Sequence, residues 1–418
     1  MKKLLAVSLM LLVPLITAAQ SSIGPGEGKL SPAERSIAVA KKLIAKNPRD
    51  FEAYNALALA LSRRARETSD PSLYLQAEDA LKQSFEVSPN NFDGQRTHVW
   101  LLLGRHEFAA ALDEARKLNQ KMPDDVMLYG FLTDANVELG NYADAEKAAQ
   151  WMLDSKPGNL PGLTRAAYLR ELFGDIDGAY ELMNMALQST PPSELEDAAW
   201  ITTQMAHLKL ATGEVKAAEE LLQQALTMFP DYHYALGNLA KLRIQQGRYR
   251  EAVNLLERRY QSAPHAENLY ELAEALELAG RTKEASTAFA EFEKKSLAET
   301  NRADNSNHEL IFYYADHARQ PGKALEIAER EYARRHDVFT MDAYAWALYR
   351  NSRYTEAQKQ IESALAIGIR DARFFRHAVE IALRCGDPTG AKAYLNRALA
   401  TKSPESGKAA FTLAESPH

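Results

Sequence analysis

Cysteine is almost missing from this chain of 418 residues: Cys385 is the single one. One thiol can make neither an intrachain disulfide nor a thiolate metal cluster, so stability has to come from packing, and Cys385 is expected to be an inert, small apolar residue. Long apolar runs are missing after Ile16, and nothing beyond it reaches the length a helix needs to cross a bilayer. Positive charge is not in excess either. Lys and Arg total 50 against 56 Asp and Glu, a formal net charge of −6, and an acidic chain argues against nucleic acid as partner, because phosphate binding needs clustered cations.

The motifs of catalysis are absent as well. His308-Glu309 opens a His-Glu-x-x-His pattern, but Phe312 stands where the second His belongs, and His106-Glu107 lacks its partner in the same way. Gly28-Lys29 has Ile23 where a phosphate-binding loop needs its first Gly and Leu30 where it needs Ser or Thr. The 10 His are scattered without ligand spacing. His207, on a helix with Trp200, Thr203 and Gln204, is the most site-like, and a groove or packing role suits it better than catalysis. The expectation is a chain that is not an enzyme and that uses no cofactor and no metal. A site assembled from residues distant in sequence is the alternative, since spacing alone cannot reveal it.

The first residues read as an export signal. Lys2 and Lys3 form a basic start, Leu4 to Ile16 an apolar stretch too short to span a bilayer, and Thr17-Ala18-Ala19 a small-residue cleavage site. Residues 1–19 are therefore assigned to a signal peptide, with a retained anchor as the alternative that Pro14 and the small residues disfavour. Residues 20–30, with Gly24-Pro25-Gly26-Glu27-Gly28, read as a flexible leader, and 404–418 as a flexible tail. Removing Lys2 and Lys3 leaves 48 basic against 56 acidic residues in the mature chain.

What is present is a period. Gly140 to Gly174 and Gly213 to Gly247 are each 34 residues, and Gly247 to Gly280 is 33. Ala145, Ala179, Ala218, Ala252, Ala285, Ala324, Ala357 and Ala391 follow one another at 33 to 39 residues, and Pro123, Pro157, Pro191, Pro230 and Pro264 keep the same phase. Within one period Tyr129, Leu132 and Ala135 recur at helical spacing, Gly140 can close a helix in the left-handed region, and a second helix stops before Pro157. Ala145 is small where two helices must cross closely.

Gly140-Asn141-Tyr142-Ala143-Asp144-Ala145 and Gly247-Arg248-Tyr249-Arg250-Glu251-Ala252 carry a Gly-x-aromatic-x-x-Ala pattern, and on it the chain resembles the tetratricopeptide repeat (TPR) family, in an exported bacterial form. The resemblance implies an all-α fold, a right-handed superhelical solenoid of antiparallel helix pairs: about ten pairs plus a leading helix across residues 31–403. Ser31, Pro32 and Glu34 are the start signals of that leading helix. Extra residues at Arg66 to Ser72, at Pro192 to Glu196 and near Ala298 to Asn307 stretch the period and are expected to loosen the stack into hinges.

In such solenoids the first helix of each pair lines a concave wall that usually holds a peptide or partner segment. Projected onto that wall are Arg96, Trp100, Arg165, Tyr168, His207, Asn238, Lys241, Tyr270, Tyr313, Trp346, Tyr349 and Arg376. Tyr, Trp and Arg dominate binding energy at protein interfaces. Near the C-terminus Arg350, Arg373, Arg376 and Arg384 are expected to form a basic end. The partner implied is another protein or peptide segment, periplasmic or of the outer membrane. The reading is an interaction scaffold in the bacterial cell envelope; a glycan-binding role, with sugars stacked on the aromatic wall, is the alternative. Oligomeric state stays open.

Overall fold

The computed structural model describes residues 30–300, 305 and 307–401. The expected signal peptide (1–19), nearly all of the leader and the tail (404–418) lie outside the described residues. Where the chain is described it is helical, with no strand. A leading helix α1 (Pro32–Lys46) is followed by helix pairs: α2 (Phe51–Thr68) and α3 (Ser72–Val87), α4 (Phe92–Gly104) and α5 (Phe108–Lys121), α6 (Val126–Glu138) and α7 (Tyr142–Ser155), α8 (Leu160–Leu172) and α9 (Ile176–Ser189), α10 (Leu195–Ala211) and α11 (Val215–Met228). Then come α12 (His233–Gln245) and α13 (Tyr249–Ser262), α14 (Ala266–Leu278) and α15 (Thr282–Glu299), α16 (Asn307–Phe312), continued by a π-turn over Tyr313–His317, and α17 (Pro321–Tyr332), α18 (Val338–Arg350) and α19 (Tyr354–Ala366), and α20 (Ala372–Arg384) and α21 (Pro388–Ala400).

Local chemistry sets the boundaries. Ser31 and Glu34 form a capping box, each side chain accepting from the other's backbone N–H. Asp50, Asn91, Asp125, Asn159, Asp337 and Asp371 cap six of the first helices with a side-chain oxygen. Most pairs turn on a glycine in the left-handed region, Gly140 at φ 76° and Gly247 at φ 70° among them. In α4 the glycine falls too early, and His106 takes the left-handed conformation instead (φ 58°); Ser352 does the same between α18 and α19 (φ 61°). The alanine series sits at the helix crossings: Ala145, Ala179, Ala218, Ala252, Ala324, Ala357 and Ala391 are each 0% exposed.

The stack winds back onto itself. The main-chain N–H of His336, just before α18, donates to Glu138 O at the end of α6 (3.0 Å), and Val338 N–H donates to the Tyr142 hydroxyl of α7 (3.0 Å). A Cβ on Gly174, between α8 and α9, would lie 2.6 Å from Gly368 O, just before α20. The third and fourth pairs thus meet the ninth and tenth, six pairs further along the chain. This seam is partly apolar: Val137, Tyr142, Leu169 and Leu172 share one core with Val338, Leu348, Ile369 and Phe374.

Two of the expected hinges turn out to be the start of that seam. Arg63 in α2 reaches Glu194 (3.1 Å) and Asp197 (3.5 Å), while Arg66 pairs with Glu196 and with Asp197 (2.6 Å). His233, at the head of α12, places Nε2 3.0 Å from Arg66 O. The extra residues are taken up largely as helix, α2 running 18 residues and α10 17 where α4, α6, α8 and α12 run 13 each, and the lengthened ends meet and pin the turns together, which corrects the expectation of looseness there. Part of the third stretch, near Ala298 to Asn307, is outside the described residues; beside it the Asn307 amide donates to Glu331 (2.6 Å) and Thr300 O (3.3 Å).

Candidate binding wall

The first helices α4 to α12 carry the first half of the wall. Arg96 donates to Asp125 (2.6 Å), the cap of α6, and to Asp93 (2.8 Å). Trp100 is half-buried against the core of Val99, Leu128 and Phe131. Arg165 reaches from α8 to Gly130 O (3.0 Å) and Asp134 (2.5 Å) of α6. His207 Nε2 lies 2.8 Å from Glu171 of α8, and Lys241 Nζ 3.5 Å from Glu271 of α14, which Arg259 of α13 also holds. Residues one period apart on neighbouring first helices face each other, so opposite charges at these positions form rungs of a ladder. Asn238 instead donates to Tyr234 O on its own helix (3.0 Å), and Tyr168 is half-buried against the seam core.

The second half of the wall differs. Tyr270, 6% exposed, packs on Phe289 (5.9 Å) and Phe292 (5.1 Å) with its hydroxyl donating to Glu274 (3.1 Å). Trp346, 2% exposed, stacks on His377 (4.2 Å) and Tyr349 (4.8 Å) and donates Nε1–H to Asp316 (3.0 Å). Both were projected as partner-binding and both belong to the core: Tyr270 is covered by rings from α15, the other helix of its own pair, and Trp346 by Tyr349 of its own helix and His377 of the next pair. Tyr313 and Tyr349 are half-buried, the first donating to Glu293 (3.3 Å). Three of the four arginines of the expected basic end have an acid beside them: Arg350 lies 3.6 Å from Asp316, Arg373 3.3 Å from Asp342, and Arg376 3.2 Å from Glu380, while Arg384 is hydrogen-bonded to Tyr349. Tyr270 and Trp346 therefore offer no open ring face, whereas Tyr313 and Tyr349 keep part of theirs.

Charge and burial tune several groups. Burial alone would lower the His207 pKa, but the Glu171 carboxylate raises it above the ordinary value. Burial pushes Glu271 up, and Arg259 and Lys241 outweigh it, holding the carboxyl below its usual range. Glu309, on α16, is pushed up to about 7 by burial and by Glu267 and Glu271. At the seam, burial and Asp337 push Glu138 up to about 8 against the pull of Arg335. His308 is held well below its usual value by burial and by the cations Arg335 and Arg373.

One buried pair has the look of chemistry: His377 Nδ1 is 2.6 Å from Asp342 Oδ1, both fully buried. The other ring nitrogen, Nε2, is met by Arg376 at 3.0 Å, and Phe312 and Trp346 stack on the ring. No substrate can approach, so the pair works as packing. Among the described residues no group of three or more His, Cys, Asp or Glu is arranged to hold a metal ion. The seam group of Glu138, His308, Arg335 and Asp337 escaped the sequence reading, because Arg335 and Glu138 are 197 residues apart and no local pattern links them.

Known proteins bear on this geometry. Family profiles described as tetratricopeptide repeat match residues 209–259, 238–296 and 343–407. The TPR repeat-containing protein MJ1428 of Methanocaldococcus jannaschii is 32% identical over 124 residues, which is 29% of this chain and 21% of that relative's length. Among solved structures, the human IFIT1 dimer with PPP-AAAA aligns with a TM-score of 0.50 at 14% identity, over 87% of this chain and 85% of that one. The APC/C hetero-tetramer Cut9-Hcn1 aligns with a TM-score of 0.46 at 14% identity, over 90% of this chain and 59% of that one. Repeats of this type generally mediate protein–protein interactions and generally serve as non-catalytic scaffolds. The chain thus carries tetratricopeptide repeats, within an all-helical solenoid of the TPR type.

Proposed function

We propose that this chain is an adaptor of the bacterial cell envelope whose inner wall holds an extended segment of a partner protein. The observation that carries the reading is the polar track from Arg165 through Glu171 and His207 to Lys241 and Glu271, laid over the successive first helices α8, α10, α12 and α14. An extended segment offers a regular row of N–H and C=O groups, and alternating cations and carboxylates can satisfy both. Export is supported by Lys2 and Lys3, the apolar stretch to Ile16 and the small residues up to Ala19. A chain with one cysteine also has no disulfide to lose or gain on crossing into an oxidising compartment.

The test is capture from the native host's envelope with the parent and with the double variant His207→Ala, Lys241→Ala. These side chains are 43% and 62% exposed, so their removal leaves the packing intact. A periplasmic or outer-membrane protein retained by the parent and lost by the folded variant is the expected result. Recovery of the same proteins by both would move the site off this wall. N-terminal sequencing of the host protein is expected to begin at Gln20, and a cytoplasmic protein beginning at Met1 would overturn export.

A further inference from the structure

The leading helix has a face that nothing in the solenoid uses. Ala33 and Ala40 of α1 are buried against α2, and the clamp is completed by Glu34 to Arg64 (2.8 Å) and Ser31 Oγ to Glu67 (2.6 Å). The opposite side is open. Arg35, Val39, Lys42 and Lys46 follow at i, i+4, i+7 and i+11, so they form one line along the helix, and all are exposed, Val39 at 60%. Leu43, 44% exposed, and Ala38, Lys41 and Ala45 flank that line. Lys41, Lys42 and Lys46 take part in no ion pair among the described residues, and Arg35 spends one nitrogen on Leu30 O (2.6 Å). The helix holds four cations and one acid in a chain whose net charge is −6.

We infer that this face of α1 docks on the anionic headgroup surface of a lipid bilayer. A terminal helix of a solenoid normally needs only a polar outer face for solubility; here apolar side chains stand among the cations on the same line. The face is the outer side of a single terminal helix, a ridge and not a cleft. A bilayer asks for no groove: cations meet the phosphates, and Val39 and Leu43 enter the boundary layer beneath them. A second copy stacked head to tail on this end is disfavoured, because it would set helix α21 against these cations. Helix α21 carries Lys392 and Arg397 and no acid. The inference is independent of what the inner wall binds.

Co-sedimentation with vesicles tests it, using the chain as the host processes it. Phosphatidylcholine vesicles containing phosphatidylglycerol are compared with phosphatidylcholine alone, at low and high salt. The parent is expected to bind only the anionic vesicles and to release in salt. Each cation near such a surface is worth about fivefold in partitioning, so Arg35→Gln, Lys42→Gln, Lys46→Gln together are expected to weaken binding on the order of a hundredfold. A control with Lys216→Gln, Lys283→Gln and Lys359→Gln, exposed lysines elsewhere, has the same net charge and is expected to bind like the parent. Equal loss in both triple variants, equal binding of neutral vesicles, or binding of polyglutamate but of neither vesicle would each overturn the proposal, the last naming an acidic protein as occupant. Circular dichroism of every variant keeps loss of fold separate from loss of docking.

Discussion

Gly174 and Gly247 occupy the same place in two repeats, the turn from first to second helix, and both have positive φ, 83° and 70°. Their surroundings are opposite. A side chain on Gly174 would strike Gly368 O at 2.6 Å, and one on Gly140 would strike His336 O at 2.8 Å, whereas Gly247, Gly280 and Gly386 have nothing within 4 Å. The same motif residue thus faces protein on one edge of the solenoid and open space on the other. Repetition in sequence does not make repeats equivalent once the stack closes on itself, since the third dimension decides which copies are covered.

The largest expected effect breaks that contrast directly. Gly174→Ala combines left-handed strain with a backbone clash and should cost about 2 to 5 kcal/mol, while Gly247→Ala should cost about 1 to 2 kcal/mol from strain alone. Urea unfolding of the two variants decides it: equal losses would mean that the seam is open in solution.

A smaller effect sharpens the comparison at the ionic end of the seam. Arg66→Glu turns two attractions, to Glu196 and Asp197, into repulsions at a site one-third exposed, so a loss of about 1 to 2 kcal/mol is expected. The radius of gyration should rise as the first turn lifts, and adding Glu196→Arg should recover part of it. Arg353→Glu on the free edge, where Arg353 meets Glu329 (3.0 Å) and Glu356 (2.7 Å), should change stability by less than about 1 kcal/mol. A radius unchanged by Arg66→Glu would dissociate these contacts from closure.

The smallest effect is a slope with pH. Glu138 has its pKa raised in the folded chain, from 4.5 to about 8, so it binds its proton more tightly folded than unfolded. Its contribution is fully present below 4.5 and is lost as pH rises towards 8. The ceiling is about 1.4 kcal/mol per pH unit, and the true slope is lower because the side chain keeps 27% exposure. Glu138→Gln should flatten unfolding free energy measured across this range. A parent already flat there would show that Arg335 keeps the carboxylate charged.

Local order was written plainly in the sequence. Ser31 with Glu34 starts α1, Gly140 and Gly247 turn their pairs, and the alanine series reaches full burial, because each of these depends on neighbours within one or two helices. Of the residues projected onto the wall, the charged and the aromatic ones fared differently. Arg165 and His207 form ion pairs between neighbouring first helices, whereas Tyr270 and Trp346 were drawn into the core, the first by a ring of its own pair and the second by one of the next. What the tertiary structure alone decided is the closure. The small rotation added by each pair accumulates over four to six pairs until distant segments touch, and no window of sequence contains that sum. That is why two stretches read as hinges became the clasp between Arg63, Arg66, Glu194, Glu196 and Asp197.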